Sequence, residues 1–147
     1  MTSLGPLDRL PAMTQRTLVL LKPDTVRRRL VGQVLARFEQ KGLTIVAMEQ
    51  RTITADHADQ HYAEHVERDF YPPLRDFVMS GPLVALVVEG DQAVDAVRAL
   101  NGATDGRAAA PGTIRGDWSL SNRENMVHGS DSPQSAAREI TLWFPDL

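Results

Sequence analysis

The stretch Asn125-Met126-Val127-His128-Gly129-Ser130-Asp131-Ser132 sets one histidine between a short apolar run and a cluster of hydroxyls and backbone amides. An imidazole, with an ordinary pKa of about 6.5, keeps a neutral and nucleophilic fraction near neutral pH. Ser132, then Pro133 and an alanine-rich run, predicts a helix start with Ser132 as N-cap and Pro133 in the first turn. A nucleophile beside the free N–H groups of a helix N-terminus suits the handling of a phosphoryl group. The same residues fit equally well a hydrogen-bonded histidine that closes a strand before a capped helix.

Cations elsewhere in the chain bear on that choice. Lys22 ends an apolar run, Arg98 falls on an amphipathic segment, and Arg115 lies in Pro111-Gly112-Thr113-Ile114-Arg115-Gly116. Lysine as a point charge and arginine as a bidentate fork are the usual phosphate partners. With His128 they compose a phosphoryl-transfer constellation without a glycine-rich phosphate loop, although each cation alone reads as a surface charge. His57, His61 and His65 recur at i, i+4 and i+8, and neighbouring imidazoles at that spacing could share a zinc-like ion. No closing ligand of another type is fixed. With Asp56, Asp59 and Glu64 around them, the expectation is a solvated helix face. The run Arg27-Arg28-Arg29 is expected to decorate the exposed start of the following helix.

The elements that must position these groups are legible as patterns. Arg16 to Lys22 predicts a buried strand stopped at Pro23-Asp24. Leu30, Val31, Val34, Leu35 and Phe38 predict a helix that ends at Lys41-Gly42. Leu43 to Met48 predicts a second strand, with Gln50 to Thr54 as its extension. A polar helix over Asp56–Val66, capped by Thr54, and a short one over Pro72–Met79 follow. Leu83 to Glu89 is a third strand and Asp91 to Leu100 an amphipathic helix. Gly102 to Gly116 has little periodicity, and loops of that length are usually functional or disordered. Met126-Val127 leads into His128 as a short fourth strand, and Ser135 to Phe144 is helical. The order predicts an α+β ferredoxin-like βαββαβ sandwich with a helical insertion and a long loop.

Composition narrows the class. The 147 residues suffice for one domain with a real core, expected over residues 13–147. Residues 1–12 are expected to lack regular structure and to stand outside the fold. A net charge of -3 argues against a general nucleic-acid binder while leaving room for a local anion site. Zero cysteines removes disulfides, thiolate metal sites and thiol catalysis, and fits an intracellular protein. No apolar stretch is long enough to span a bilayer, and the N-terminus lacks the pattern of a secretory signal. A cytoplasmic location without membrane partners is expected.

Lys22-Pro23-Asp24, His61-Tyr62, Ser80-Gly81-Pro82, Pro111 to Asp117 and Asn125 to Ser132, in that order, resemble the nucleoside diphosphate kinase family. The likeness runs essentially without gaps from Thr17 to Phe144. It implies a Mg²⁺-dependent ping-pong transfer, in which His128 takes the γ-phosphoryl group of a nucleoside triphosphate such as ATP and passes it to a diphosphate such as GDP. By the same likeness Glu139 orients the imidazole through its other ring nitrogen, with the Ser130 hydroxyl beside it. Lys22 and Tyr62 attend the transferred phosphoryl. Arg98, Thr104, Arg115 and Gly129 fall at phosphate- and nucleotide-binding positions. Lys22 and Asn125 meet the ribose, and Phe70 stacks on the base with Leu74 beside it and Asn122 flanking its other face. No protein metal ligands are implied, since Mg²⁺ would be held mainly by the nucleotide phosphates. A homo-tetramer or homo-hexamer is implied, and nucleic-acid binding is not expected as a primary role.

Some positions depart from the family pattern. Thr25 stands where a small residue is general, so the turn after Lys22 is expected to shift slightly. Gly106 replaces a common proline, and Arg107 to Ala110 is unusually alanine-rich, which is expected to loosen the loop. Asp69 precedes Phe70 where proline is frequent, and Asn122 is polar where some members are aliphatic. These bear on rate and affinity, and none removes a group the chemistry needs. The runner-up is a nucleotide-binding module of the same fold that has lost turnover. The attacking imidazole must be neutral, so activity should fall toward acid pH. A kcat/KM profile followed down to about pH 4 checks this, and a flat acid limb would overturn it.

Overall fold

The computed structural model describes residues 14–147, so the expectation for residues 1–12 lies outside the described residues. Strand β1 (Thr14–Leu21) leads into the one-turn α1 (Pro23–Arg27), then α2 (Val31–Gln40) and β2 (Thr44–Arg51). Helices α3 (Ala55–His61) and α4 (Tyr71–Val78) form the insertion before β3 (Leu83–Asp91). Helix α5 (Ala93–Asn101), the short α6 (Ile114–Trp118), β4 (Val127–Gly129) and α7 (Pro133–Trp143) follow. The strands pair antiparallel in the order β2-β3-β1-β4, the ferredoxin-like arrangement expected from the sequence.

Both faces of the sheet are covered, which is why β1 and β3 read as continuous apolar runs. Side chains alternate across a strand. Val19, Leu21, Val84, Leu86 and Val88 therefore meet Val34 and Phe38 of α2 and Val97 of α5 on one face. Leu18, Leu20, Leu83 and Ala85 meet Ala58, Tyr71, Val78 and Trp143 on the other. The same alternation acts on β4. Val127 packs toward α2 and α5, which turns His128, opposite Leu20 of β1, to the face carrying α3 and α7.

Local signals set the helix ends. Gly42 at φ +93° stops α2, with Gly42 N–H donating to Glu39 O (3.0 Å) and Leu43 N–H to Phe38 O (3.1 Å). Thr54 caps α3 by accepting from His57 N–H, and Ser132 caps α7 by accepting from Ser135 N–H, each at 3.1 Å. The expected helix to Val66 ends five residues earlier, at His61. Residues 63–70 are all exposed, so a continued helix would bury no apolar face, and tertiary packing is what sustains a short helix. Single four-residue turns carry the chain instead, closed by His65 N–H to Tyr62 O and by Arg68 N–H to His65 O. The long loop also contains a helix the sequence reading lacked: Thr113 caps α6 by accepting from Gly116 N–H at 3.0 Å.

The alanine-rich loop is pinned, contrary to the expected loosening. Gly106 N–H donates to Ser121 O at 3.1 Å, a bond a proline could not make. Ser119 Oγ accepts from Ser121 N–H at 3.2 Å and donates to Glu124 O at 3.0 Å, holding the 119–124 segment that receives the Gly106 bond. A Cβ at Gly106 would overlap the Ser119 carbonyl and side chain. Gly106→Ala should therefore lower stability by about 1–3 kcal/mol, read as a lower Tm by calorimetry, and an unchanged Tm would refute this packing.

Candidate active site

A cleft of about 850 Å³ opens beside β4, between the segment after α3, the loop after α5 and the start of α7. His128 lies in it, and its Nε2 meets Glu139 Oε1 at 2.6 Å. Glu139 is buried on α7 and also accepts from Ser130 Oγ at 3.1 Å. A carboxylate can only accept, so Nε2 carries the proton. The other nitrogen, Nδ1, keeps its lone pair and has no partner among the described residues. The imidazole's tautomer is thus fixed from behind, with the lone pair that nucleophilic attack requires left free. Ser130 is fully buried and accepts from Leu18 N–H at 3.2 Å, so it acts on the carboxylate and not on the imidazole.

The expected cations converge on the cleft. Lys22, immediately after β1, donates from Nζ to Asn125 Oδ1 at 2.9 Å. Its burial, with Arg115 nearby, lowers its pKa from 10.5 to about 8. Arg115 donates to the backbone carbonyls of Gly102 (2.7 Å), Val127 (2.7 Å) and Asn125 (3.2 Å), and its remaining N–H groups stay available to a ligand. Burial and then Arg98 bring its pKa down to about 10. Burial, with a neighbouring cation behind it in each case, lowers both pKa values, as in a site short of negative charge. Tyr62 lines the cleft with a buried, unpartnered hydroxyl whose pKa is pushed up, chiefly by burial.

Phe70, about half exposed, lines the mouth together with Leu74 and Asn122. Thr104 is on the rim, and its carbonyl accepts from Asn125 Nδ2 at 2.8 Å. Gly129 lines the floor, where a Cβ would crowd Val97 and Asn101 of α5 at 3.0 Å. Every expected residue except Ser130 lines this one cleft.

His61, His65, Arg107, Arg123 and Arg138 also line it without having been singled out for it. The expectation of a solvated histidine face fails. His61 is buried, and its Nδ1 accepts from Trp143 Nε1–H at 3.0 Å. Its ring stands edge-on to His128, with centroids 4.7 Å apart. His65 lies beyond the end of α3. Burial, and then His128, hold the His61 pKa well below its ordinary value. His61, His128 and Glu139 are close enough to hold a metal ion. Trp143 occupies the His61 Nδ1 lone pair, however, so the neutral ring carries its proton on Nε2 and has no lone pair to offer. The arginine run stays out of the cleft: Arg27 donates to Ser80 Oγ (3.0 Å) and Arg28 to Trp118 O (2.6 Å).

The comparisons agree with this geometry. Residues 15–147 match the family described as nucleoside diphosphate kinase. A nucleoside diphosphate kinase of Nocardioides sp. is 77% identical over 135 residues, which span 92% of this chain and all of that protein. One from Mycolicibacterium smegmatis is 58% identical over 134 residues, 90% of this chain and 96% of that protein. The structure of a halophilic nucleoside diphosphate kinase from Halobacterium salinarum in complex with CDP superposes with a TM-score of 0.88 at 46% identity, covering 90% of this chain and 88% of that one. The chain belongs to the nucleoside diphosphate kinase family.

Proposed function

We propose that this cleft moves the γ-phosphoryl group of a nucleoside triphosphate to a nucleoside diphosphate in two half-reactions through His128. The observation that carries the reading is the 2.6 Å bond from His128 Nε2 to a buried carboxylate, which leaves Nδ1 as the attacking atom. In the first half-reaction the Nδ1 lone pair forms a bond to the γ-phosphorus. The bond to the bridging oxygen breaks, and the diphosphate leaves with that electron pair. In the second, a terminal oxygen of the acceptor diphosphate attacks the same phosphorus, and the N–P pair returns to Nδ1. Glu139 holds the Nε2 proton throughout and offsets the positive charge that develops on the ring. Two such similar steps let one site serve donor and acceptor in turn.

Transfer through a loose transition state needs positioning and charge stabilisation more than further covalent chemistry. Lys22, Arg98 and Arg115 supply positive charge, and Tyr62 and Thr104 supply hydroxyls. Lys22 and Asn125 meet the sugar. Phe70 at the mouth would stack on the base, with Leu74 beside it and Asn122 across from it. Stacking on a π face admits purines and pyrimidines alike. The CDP held by the Halobacterium salinarum relative supports a diphosphate ligand here. Mg²⁺ prefers oxygen ligands and retains water, whereas the close ligand cluster in the described residues is two imidazoles and a carboxylate already in use. The residues therefore fit a Mg²⁺ that arrives on the nucleotide phosphates and neutralises their charge.

The chain is also read as a cytoplasmic homo-tetramer or homo-hexamer. No helix among the described residues is long and apolar enough to cross a membrane. The uncovered edge of the sheet at β2, with Met48 59% exposed, is a surface that a second copy would cover.

Incubation with γ-labelled ATP and Mg²⁺, then a chase with GDP or CDP, tests the reaction. Acid-labile label should appear on the wild type, leave as triphosphate on the chase, and be absent from His128→Ala. Bound nucleotide without label on the wild type would make the chain a binding module. A second test follows from Lys22, which is charged below about pH 8 and loses its proton above it. The kcat/KM for nucleotide should decline as pH rises through about 8, and a profile flat to about pH 9.5 would remove Lys22 from phosphate binding.

A further inference from the structure

Met126 has φ +74°, a left-handed backbone that a side chain with a Cβ rarely adopts. Val127 N–H donates to Asn125 O at 2.8 Å, closing a γ-turn around it. γ-turns with a positive central φ are rare and strained, and such strain persists only where surrounding contacts over-determine it. Here the contacts come from the Lys22–Thr25 segment, about a hundred residues away in sequence. Asp24 Oδ2 accepts from Met126 N–H at 3.1 Å. The Met126 carbonyl accepts from Lys22 N–H at 2.9 Å and from Thr25 Oγ1 at 2.6 Å. Thr25, expected to displace the turn after Lys22, therefore helps to tie it down.

Asp24 is conspicuous in this arrangement. It is 5% exposed, and its second oxygen, Oδ1, has no partner. Burial raises its pKa, while Lys22 and then hydrogen bonds from backbone amides, that of Met126 first, oppose the rise. The groups on either side of the turn are those assigned to the substrate. Asn125 precedes it, with its side chain bonded to Lys22, and His128 follows two residues later.

We propose that Asp24 is a positioning residue for phosphoryl transfer: by gripping the Met126 amide it holds the γ-turn that sets Asn125 and His128 against Lys22. Asp24 does not line the cleft. It acts through backbone geometry, with Thr25 and the Lys22 amide gripping the carbonyl of the same residue. This rests on the phosphohistidine reading above.

The test is the single-turnover rate of label transfer from γ-labelled ATP to His128 at pH 7, below the range where Lys22 discharges. Misplacement of reacting groups by about 1 Å can slow a reaction on the order of a hundredfold, so Asp24→Ala should be about ten- to a hundredfold slower. Asp24→Asn keeps an acceptor of the same shape and should stay within about threefold of wild type, although its alkaline limit should move down because the charge beside Lys22 is gone. Glycine takes positive φ without penalty, so in a Met126→Gly background the Asp24→Ala loss should shrink by about threefold or more. That background also keeps the comparison readable if Asp24→Ala alone folds poorly. Val34→Ala, on the buried face of α2, should lower Tm and leave the labelling rate unchanged. Asp24→Ala labelling at the wild-type rate, Asp24→Asn as slow as Asp24→Ala, or a loss undiminished by Met126→Gly would each overturn the proposal. A wild type that takes no label sinks the phosphohistidine reading itself, and labelled wild type with unaffected Asp24→Ala sinks only the role of Asp24.

Discussion

The pairing of β1 with β4 is the constraint on which the site depends. β4 has three residues, too few to hold a place in the sheet by burial of its own. Its register against Val19, Leu20 and Leu21 decides which face His128 takes, and a slip of one residue would turn the ring toward α2 and α5. β1 is itself fixed on its other side by an eight-residue ladder with β3, and from Thr17 to Leu21 its side chains are buried on both faces. A central strand therefore leads directly into Lys22 and carries the strand of His128 on its other side. Precision at the reacting atoms is borrowed from the centre of the sheet.

Around that frame the cleft divides into a floor and a mouth. The floor is buried: Lys22 donates to Asn125, Asn125 donates to the Thr104 carbonyl, and Glu139 accepts from His128 and Ser130. Fixed dipoles in such a place stabilise developing charge without having to reorganise. The mouth is open, with Phe70 and Asn122 in solvent, and is suited to a part of the ligand that varies. At the floor Arg115 ties Gly102, Asn125 and Val127 together.

What the sequence made legible follows from how local each cause is. The caps at Thr54 and Ser132, the stop at Gly42 and the apolar runs of β1 and β3 act within a few residues, and they lie where the patterns put them. The cleft residues were legible as a set because their types suit phosphate and their blocks resemble a known order. Long-range causes were hidden. His61 reads as a polar helix residue until Trp143, 82 positions later, donates to its ring. Met126 carries no turn signal of its own, because its backbone is imposed by Asp24 and Thr25. The end of α3 at His61 reflects what residues 63–70 fail to bury, which helical spacing alone does not reveal.

The Trp143–His61 bond has a consequence for the protein's tolerance of acid. A ring whose Nδ1 accepts from a buried indole can take a proton only by breaking that bond, and its pKa in the fold lies well below 6.5. In the unfolded chain the same imidazole protonates freely below its ordinary value. The unfolded state thus binds more protons as the medium acidifies, so the contribution His61 makes to stability is whole above about pH 6.5 and drains away below it. Acid therefore works against the scaffold that holds His128, through a second histidine that contacts it only edge-on.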